Sequence, residues 1–343
     1  MSRDSLFQTL SELVSLHSPS GVEEAVNDHL LEILRGHGEP ATDAAGNIVL
    51  RIKGRDSSRM VAVLAHKDEI AAMVKRIDEH GRLMVQKSGG SFPWVWGEGP
   101  VDVLGDRSTV SGVLSFGSRH VSDESPHKEQ TERALRWRDA WVETKLGDDE
   151  LAAAGVRPGS RVVPSAARKT AVRIGADGEY VGSYAIDDKG SVAGLLALAE
   201  QLSEPRCDVE LVFSAREEIG CHGAAWYAER TEAEALVAFE VTPVAAEYKI
   251  EAGPDPVLVA ADSYGPLHDG LGAELTAAAE AAGMAMRYAV VSNFGSDASQ
   301  ALRSGNVAQT ACLAFACENT HGFEIAHLDG IANCVTVLER WLS

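Results

Sequence analysis

Short apolar stretches that end on ionisable residues limit the fold of this chain more than any other feature. Residues 60–65 are wholly apolar and run into His66-Lys67-Asp68-Glu69. The stretch 209–214 leads through Ala215-Arg216 to Glu217-Glu218, and 235–239 leads to Glu240. A shorter apolar approach reaches Asp187-Asp188, from which a helix-forming stretch continues to about Glu200. Runs this short, bounded by turns, read as strands rather than buried helices. Strands without polar alternation are buried on both faces, as in a mostly parallel sheet. In such sheets ligands collect beyond the carboxyl ends of the strands. Strand ends that carry histidine and carboxylates are what a metal site in an α/β protein requires.

The rest of the chain supports an α/β reading. Helical spacing predicts a first helix over 6–16, capped by Asp4 or Ser5, and a second from about Ser18 to Arg35, ended by Gly36 or Gly38. A turn and an alternating strand follow at 43–52. From 70 to 172 the texture changes to period-two pieces punctuated by glycines, the signature of a small all-β unit. Four of the six tryptophans fall there, at 94, 96, 137 and 141. Within it the polar stretch 117–136 is expected to be a mobile loop, and 137–153 to contain a helix. After 172 the α/β rhythm resumes, with strands expected at 209–214, 235–241, 286–291 and 307–316. Helices are expected at 184–202, 223–230, 271–282, 296–303 and 328–342. Neither the first nor the last part has enough strands for its own sheet. The expected organisation is one α/β domain, residues 1–69 plus 173–343, with a mixed central sheet and helices on both faces. A β-rich domain, 70–172, is inserted in it.

Charge and cysteine content narrow the function classes. Of 343 residues, 51 are acidic and 31 basic, a net charge of −20, which disfavours nucleic acid and anionic membrane surfaces as partners. No run of about 18 apolar residues occurs, so no membrane helix is expected. The first residues lack the basic and apolar regions of a signal peptide. Five scattered cysteines without a Cys-x-x-Cys pair fit a reduced, cytoplasmic protein.

Each candidate residue alone has an ordinary structural reading. Paired acids at a helix start are favoured by the helix dipole. A lone buried histidine is a core residue, and Glu240 could be a strand-tip acid. Together they make a chemistry. His66 supplies an imidazole, and Asp68, two residues on, could accept its other ring N–H and fix the tautomer. Of the Glu217-Glu218 pair, one can ligate a dication while the other takes a proton from water. His321 lies just past the apolar 310–316 run.

On these residues the sequence resembles the glutamyl and tetrahedral aminopeptidases, cytosolic di-metal exopeptidases, some of which were once labelled endoglucanases. The matching segments are Ala65-His66-Lys67-Asp68-Glu69-Ile70, Asp187-Asp188-Lys189-Gly190, Arg216-Glu217-Glu218-Ile219-Gly220-Cys221-His222-Gly223-Ala224 and Glu240-Val241-Thr242-Pro243, in order along the whole chain. The resemblance implies an aminopeptidase that binds two divalent metals, zinc first, with cobalt or manganese also suited. Asp187 would bridge them, with His66 and Glu240 completing one site, and Glu218 and His321 the other. Glu217 would be the general base and Asp68 would orient His66. Asp297, in Gly295-Ser296-Asp297, is either a pocket residue or a first-turn helix acid. The resemblance also implies a homo-oligomer, built from dimers and extending to a dodecamer. This chain departs from the family at Glu240, where Asp is usual, at Lys189 in place of Arg, and around His321, where His327 is a second candidate ligand. Asn319, Thr320 and Glu324 lie where substrate would bind. The expected substrate is a short peptide, cleaved at its first residue. The alternatives are a related amidohydrolase acting on N-acylated or modified amino acids, and a non-catalytic metal-binding relative.

Overall fold

A computed structural model of the chain describes residues 1–118, 120 and 132–343. Four parallel strands form the middle of a mixed sheet, which has twelve strands among the described residues. Their order is Cys207–Ser214, Asp56–His66, Ala235–Pro243 and Gln309–Glu318. Ser214 stands opposite His66, and Ala238 opposite Leu64, which brings Glu240 level with the histidine. Ile48–Ile52 and Val257–Asp262 extend this core antiparallel at its two flanks. Period-two alternation sends Val61, Val63 and Ala65 into one hydrophobic layer and Met60, Ala62 and Leu64 into the other. Because both faces are covered, the strands read as unbroken apolar runs.

The helix Ile186–Gln201 lies in the first layer with Arg3–Ser15 and Leu328–Leu342; His222–Ala228 and Asp297–Ser304 cover the opposite face. Ile186–Gln201 can approach the sheet because its inward positions are glycines. A Cβ on Gly194 would stand 2.3 Å from the Phe239 ring, and one on Gly190 2.6 Å from Phe315. Its first turn, with Asp187 and Asp188, therefore sits against the strand ends. The Asp187–Asp188 peptide is cis.

The expected all-β unit is a closed six-stranded barrel, with strands between Ala71 and Pro164. Val74, Val101, Val103, Leu114 and Val162 fill it, and Trp96 and Trp137 meet edge to face at 5.3 Å beside them. The stretch 137–153 is not one helix. Trp141–Glu143 is a barrel strand, and only Asp148–Ala154 is α-helical. The expected mobile loop, 117–136, lies largely outside the described residues. Among the strands that escaped the sequence are Val257–Asp262, at the flank of the core, and Glu324–His327 and Tyr180–Ser183, which pair with each other. Ser2, rather than Asp4 or Ser5, caps the first helix. Among the described residues no helix is long and apolar enough to cross a membrane, and all five cysteines are free and buried.

Barrel and sheet are joined through buried ion pairs. Lys169 Nζ lies 2.6 Å from both carboxylate oxygens of Glu69 and 3.0 Å from His17 Nδ1, whose Nε2 is 2.9 Å from Asp102 of the barrel. Lys67 pairs with Glu23, and Lys189 donates to Ser18 Oγ. All three lysines are fully buried. Burial pushes the Lys189 ammonium down to about 8, against the pull of Glu69. Removing one partner of such a pair strands the other's charge. Lys169→Met is expected to cost about 3–5 kcal/mol in denaturant unfolding, and Lys169→Met with Glu69→Leu to recover most of it. Equal losses in the single and double variants would mean the pair does not hold the joint.

Candidate active site

All the predicted ligands meet at one edge of the sheet, where the parallel strands end. His66 is the last residue of its strand. Its Nε2 lies 3.0 Å from Asp187 Oδ1 and 3.7 Å from Glu240 Oε1. Asp187 presents its other oxygen, Oδ2, to His321 Nε2 at 3.7 Å, and His321 Nε2 is 3.4 Å from Glu218 Oε2. Asp187 thus stands between two donor groups, His66 with Glu240 and His321 with Glu218. Glu217 points into the same space, 3.8 Å from His66 Nε2. These side chains wall a cavity of about 350 Å³ whose far side carries Tyr264, Asn293 and Phe294.

Supporting contacts fix each group. Asp68 is fully buried. It accepts hydrogen bonds from Glu217 N at 2.9 Å, Glu218 N at 3.3 Å and Ser20 Oγ at 2.5 Å. His66 Nδ1 faces the Asp68 carbonyl at 3.2 Å and its carboxylate at 3.5 Å. Asp68 therefore holds the Glu217-Glu218 backbone as well as the imidazole, more than its spacing suggested. Glu324 accepts from Asp187 N at 3.0 Å and His321 N at 2.9 Å. His321 has a left-handed backbone, φ 65°. Its Nδ1 lies 3.2 Å from the carbonyl of Gly90, on a barrel loop, which leaves Nε2 free to ligate.

Several expectations are corrected. Glu324 does not face substrate, because it is buried with both oxygens engaged by backbone N–H groups. Asn319 is exposed, donates to the Phe323 carbonyl and does not line the cavity, whereas Thr320 does. His327 caps the last helix and packs on Tyr180 at 4.8 Å, away from the cluster, so His321 is the histidine in place. Asp297 does not line the cavity; it is the buried first residue of a helix and accepts a hydrogen bond from Ser214 Oγ. Residues that the sequence reading did not assign also belong to the site. Asp188 Oδ2 accepts from His66 N at 3.1 Å, while its Oδ1, buried, has no hydrogen-bond partner among the described residues. Gly90 and Cys221 were not assigned either. Consecutive glycines and a scattered cysteine carry no signal until the chain is folded.

Electrostatics show what the cluster lacks. Burial, reinforced by Asp187, pushes the Glu218 carboxyl well above its ordinary range, and burial reinforced by Asp188 does so for Glu240. Burial pushes Glu217 up to about 8, with His66 opposing and Asp297 adding. Burial opposes charge on His66, yet Glu240, Asp187 and Asp68 together raise it well above the usual imidazole value. Two imidazoles, His66 and His321, face the carboxylates of Asp187, Glu217, Glu218 and Glu240, and a buried uncompensated carboxylate is costly. A nitrogen and oxygen donor set of this kind suits dications. Donor atoms of His66, Asp188 and Glu240, and likewise of His66, Asp187 and Glu218, lie within 4.8 Å of one another. The residues present fit metal ions.

The His321–Gly90 contact gives a direct test. A Cβ on Gly90 would lie 2.7 Å from the His321 ring, so Gly90→Ala must displace a candidate ligand from outside the cluster. Metal affinity is expected to fall about 10–100-fold, as for loss of other contacts that orient ligands. The thermal midpoint should change little. Wild-type metal content and turnover in this variant would show that the barrel loop does not set His321.

Residues 46–337 match the family described as M42 glutamyl aminopeptidase. The chain is 27% identical over 356 residues to the Bacillus subtilis protein YhfE, which bears an aminopeptidase name, covering 96% of this chain and 95% of that one. It is 25% identical over 249 residues to the lysyl aminopeptidase of Pyrococcus furiosus, covering 69% and 66%. Among solved structures it resembles the Pyrococcus horikoshii TET1 peptidase, which can assemble into a tetrahedron or a large octahedral shell. That match has a TM-score of 0.86 and 22% identity, covering 98% of this chain and 99% of that one.

Proposed function

The chain belongs to the M42 glutamyl aminopeptidase family, and on that premise we propose that it is a di-metal aminopeptidase releasing the first residue of short peptides. The observation that carries this reading is the position of Asp187, one oxygen toward His66 and the other toward His321. His66 and Glu240 would hold one ion, Glu218 and His321 the other, with Asp187 shared; zinc, cobalt and manganese all suit these ligands. When bound, the ions would lower the pKa of a water and polarise the scissile carbonyl.

The chain's own residues supply the rest. Glu217 faces the cavity and serves as the general base, taking the proton from water and returning it to the leaving amine. Asp68 holds Glu217 and Glu218 by their backbone N–H groups, so that base and ligand keep a fixed relation. The acidic cavity favours a free α-amine over a blocked one. Its volume of about 350 Å³ suits a few residues rather than a folded chain. We assign the catalytic unit to residues 1–69 plus 173–343 and the inserted unit to 70–172. The shell-forming relative supports a homo-oligomer.

The test is hydrolysis of free and N-acetylated short peptides with added zinc, cobalt or manganese. Metal-dependent release of the first residue from free peptides is expected. Cleavage of blocked substrates alone would move the function to an amidohydrolase.

A further inference from the structure

We propose that Glu217, Cys221 and Asp297 form an additional cation site beside the metal pair, which takes a thiophilic dication such as zinc and, when filled, withdraws the general base. The inference rests on the reading of Glu217 given above. Two segments build the site, the loop that carries both Glu217 and Cys221 and the helix start that carries Asp297. Glu217 lies in the loop after the strand Cys207–Ser214, Cys221 just before the helix His222–Ala228, and Asp297 at the start of the helix Asp297–Ser304. Each offers a ligand atom, and all three atoms lie within 4.8 Å of one another. Two ligands of one tetrahedral zinc, at about 2.0–2.3 Å from the ion, stand about 3.5 Å apart. Cys221 Sγ, now 3.0 Å from Glu217 Oε1, needs to open by only about half an ångström to reach that spacing.

A second observation points to a missing cation. Asp297 is only 2% exposed, and its Oδ2 is satisfied by Ser214 Oγ. Its Oδ1 is buried with no hydrogen-bond partner among the described residues. Such an oxygen bears the cost of desolvation until a donor or a cation meets it, and the side chain across from it is Cys221, itself a soft metal ligand. The site is also reachable, because Glu217 and Cys221 both line the active-site cavity.

The chemistry selects the ion. Burial and the carboxylates of Glu217 and Asp297 push the Cys221 thiol up, so without a cation it stays protonated and donates to Glu217. A dication reverses this: the metal–sulfur bond forms, the S–H bond breaks, and the proton leaves to solvent. No electron changes hands. Sulfur favours zinc over manganese, which prefers oxygen donors.

The experiment uses the manganese-loaded enzyme. Excess zinc is expected to inhibit it and excess manganese not to. Cys221→Ser should raise the zinc concentration needed by at least about tenfold to a hundredfold, the range for lost metal contacts. Equilibrium dialysis should find one more zinc per chain in the wild type than in Cys221→Ser or Cys221→Ala. Cobalt titration should give a thiolate-to-cobalt charge-transfer band in the wild type that both variants lack. An enzyme that holds two metals and cleaves peptides, yet shows neither the extra zinc nor the band, overturns the inference and leaves the aminopeptidase reading intact. A band in a protein that releases no residue from any peptide supports the site and removes the reading of Glu217 as base.

Discussion

Glu217→Gln is expected to lower kcat by about 10²–10⁴-fold, the contribution of a positioned general base, while the manganese content of the metal pair stays at the wild-type level. The two outcomes separate because the structure separates the groups. Asp187 faces both histidines, and Glu218 faces His321; Glu217 also lines the cavity, 3.8 Å from His66, but its other oxygen is met by the Cys221 thiol. Its backbone is held by Asp68 whatever its side chain carries. Glutamine keeps the shape and can still be met by the Cys221 thiol, so the loop has no reason to move. It also removes one of several crowded carboxylates, so the thermal midpoint should hold or rise. Turnover and metal analysis on the same preparation decide the matter. A parallel fall in turnover and in manganese content would make Glu217 a ligand of the metal pair, and the base would have to be sought elsewhere.

What the sequence carried was the part of the site that lies at strand ends. A strand buried on both faces reads as an apolar run, so an ionisable residue that closes such a run stands near the carboxyl end of the sheet, as Glu240 does three residues before its strand ends. His66, Glu217-Glu218 and Glu240 were legible for that reason, and the resemblance of their motifs placed Asp187 and His321 with them. The supporting contacts were not legible, because they join distant parts of the chain. Asp68 meets Ser20 across 48 positions, Lys169 meets Glu69 across 100, and His321 meets Gly90 across 231. No local periodicity encodes such pairs. Glu324 was misread for a related reason. A lone acid after a histidine looks like a substrate contact, but pairing of its strand with Tyr180–Ser183 buries it against the Asp187 and His321 backbone. In the barrel, Trp141–Glu143 is too short to show alternation.

The metal-free protein should lose stability as pH rises, and added metal should remove that loss. Without a cation, Glu217 holds its proton up to about 8 against an ordinary value near 4.5, because of burial. Glu218 and Glu240 are raised well above that value by burial too, and His66 is raised by its acidic neighbours. Each of these groups binds its proton more tightly in the folded chain than in the unfolded one. Folding therefore takes up protons in this window, and the free energy of unfolding falls with rising pH. The contribution of Glu217 is complete below about pH 4.5 and gone once pH passes about 8. It amounts to a few kcal/mol, at about 1.4 kcal/mol per pKa unit. Asp68 and Asp187, whose carboxyls are held low, act with the opposite sign only below about pH 4; His17 and His327, lowered by burial, oppose the trend within the range, but they lie outside the cluster and act alike in the chelated and metal-loaded protein. Bound dications replace those protons, and their affinity grows as the ligands deprotonate. Chelation is thus expected to abolish peptidase activity at every pH but to lower the thermal midpoint unequally. The drop should be small near pH 5 and on the order of 5–10 °C near pH 8. Melting curves of chelated and metal-loaded protein across this range test it. Two curves that run parallel would mean that the carboxylates are balanced within the protein and that the cluster does not depend on metal for its charge.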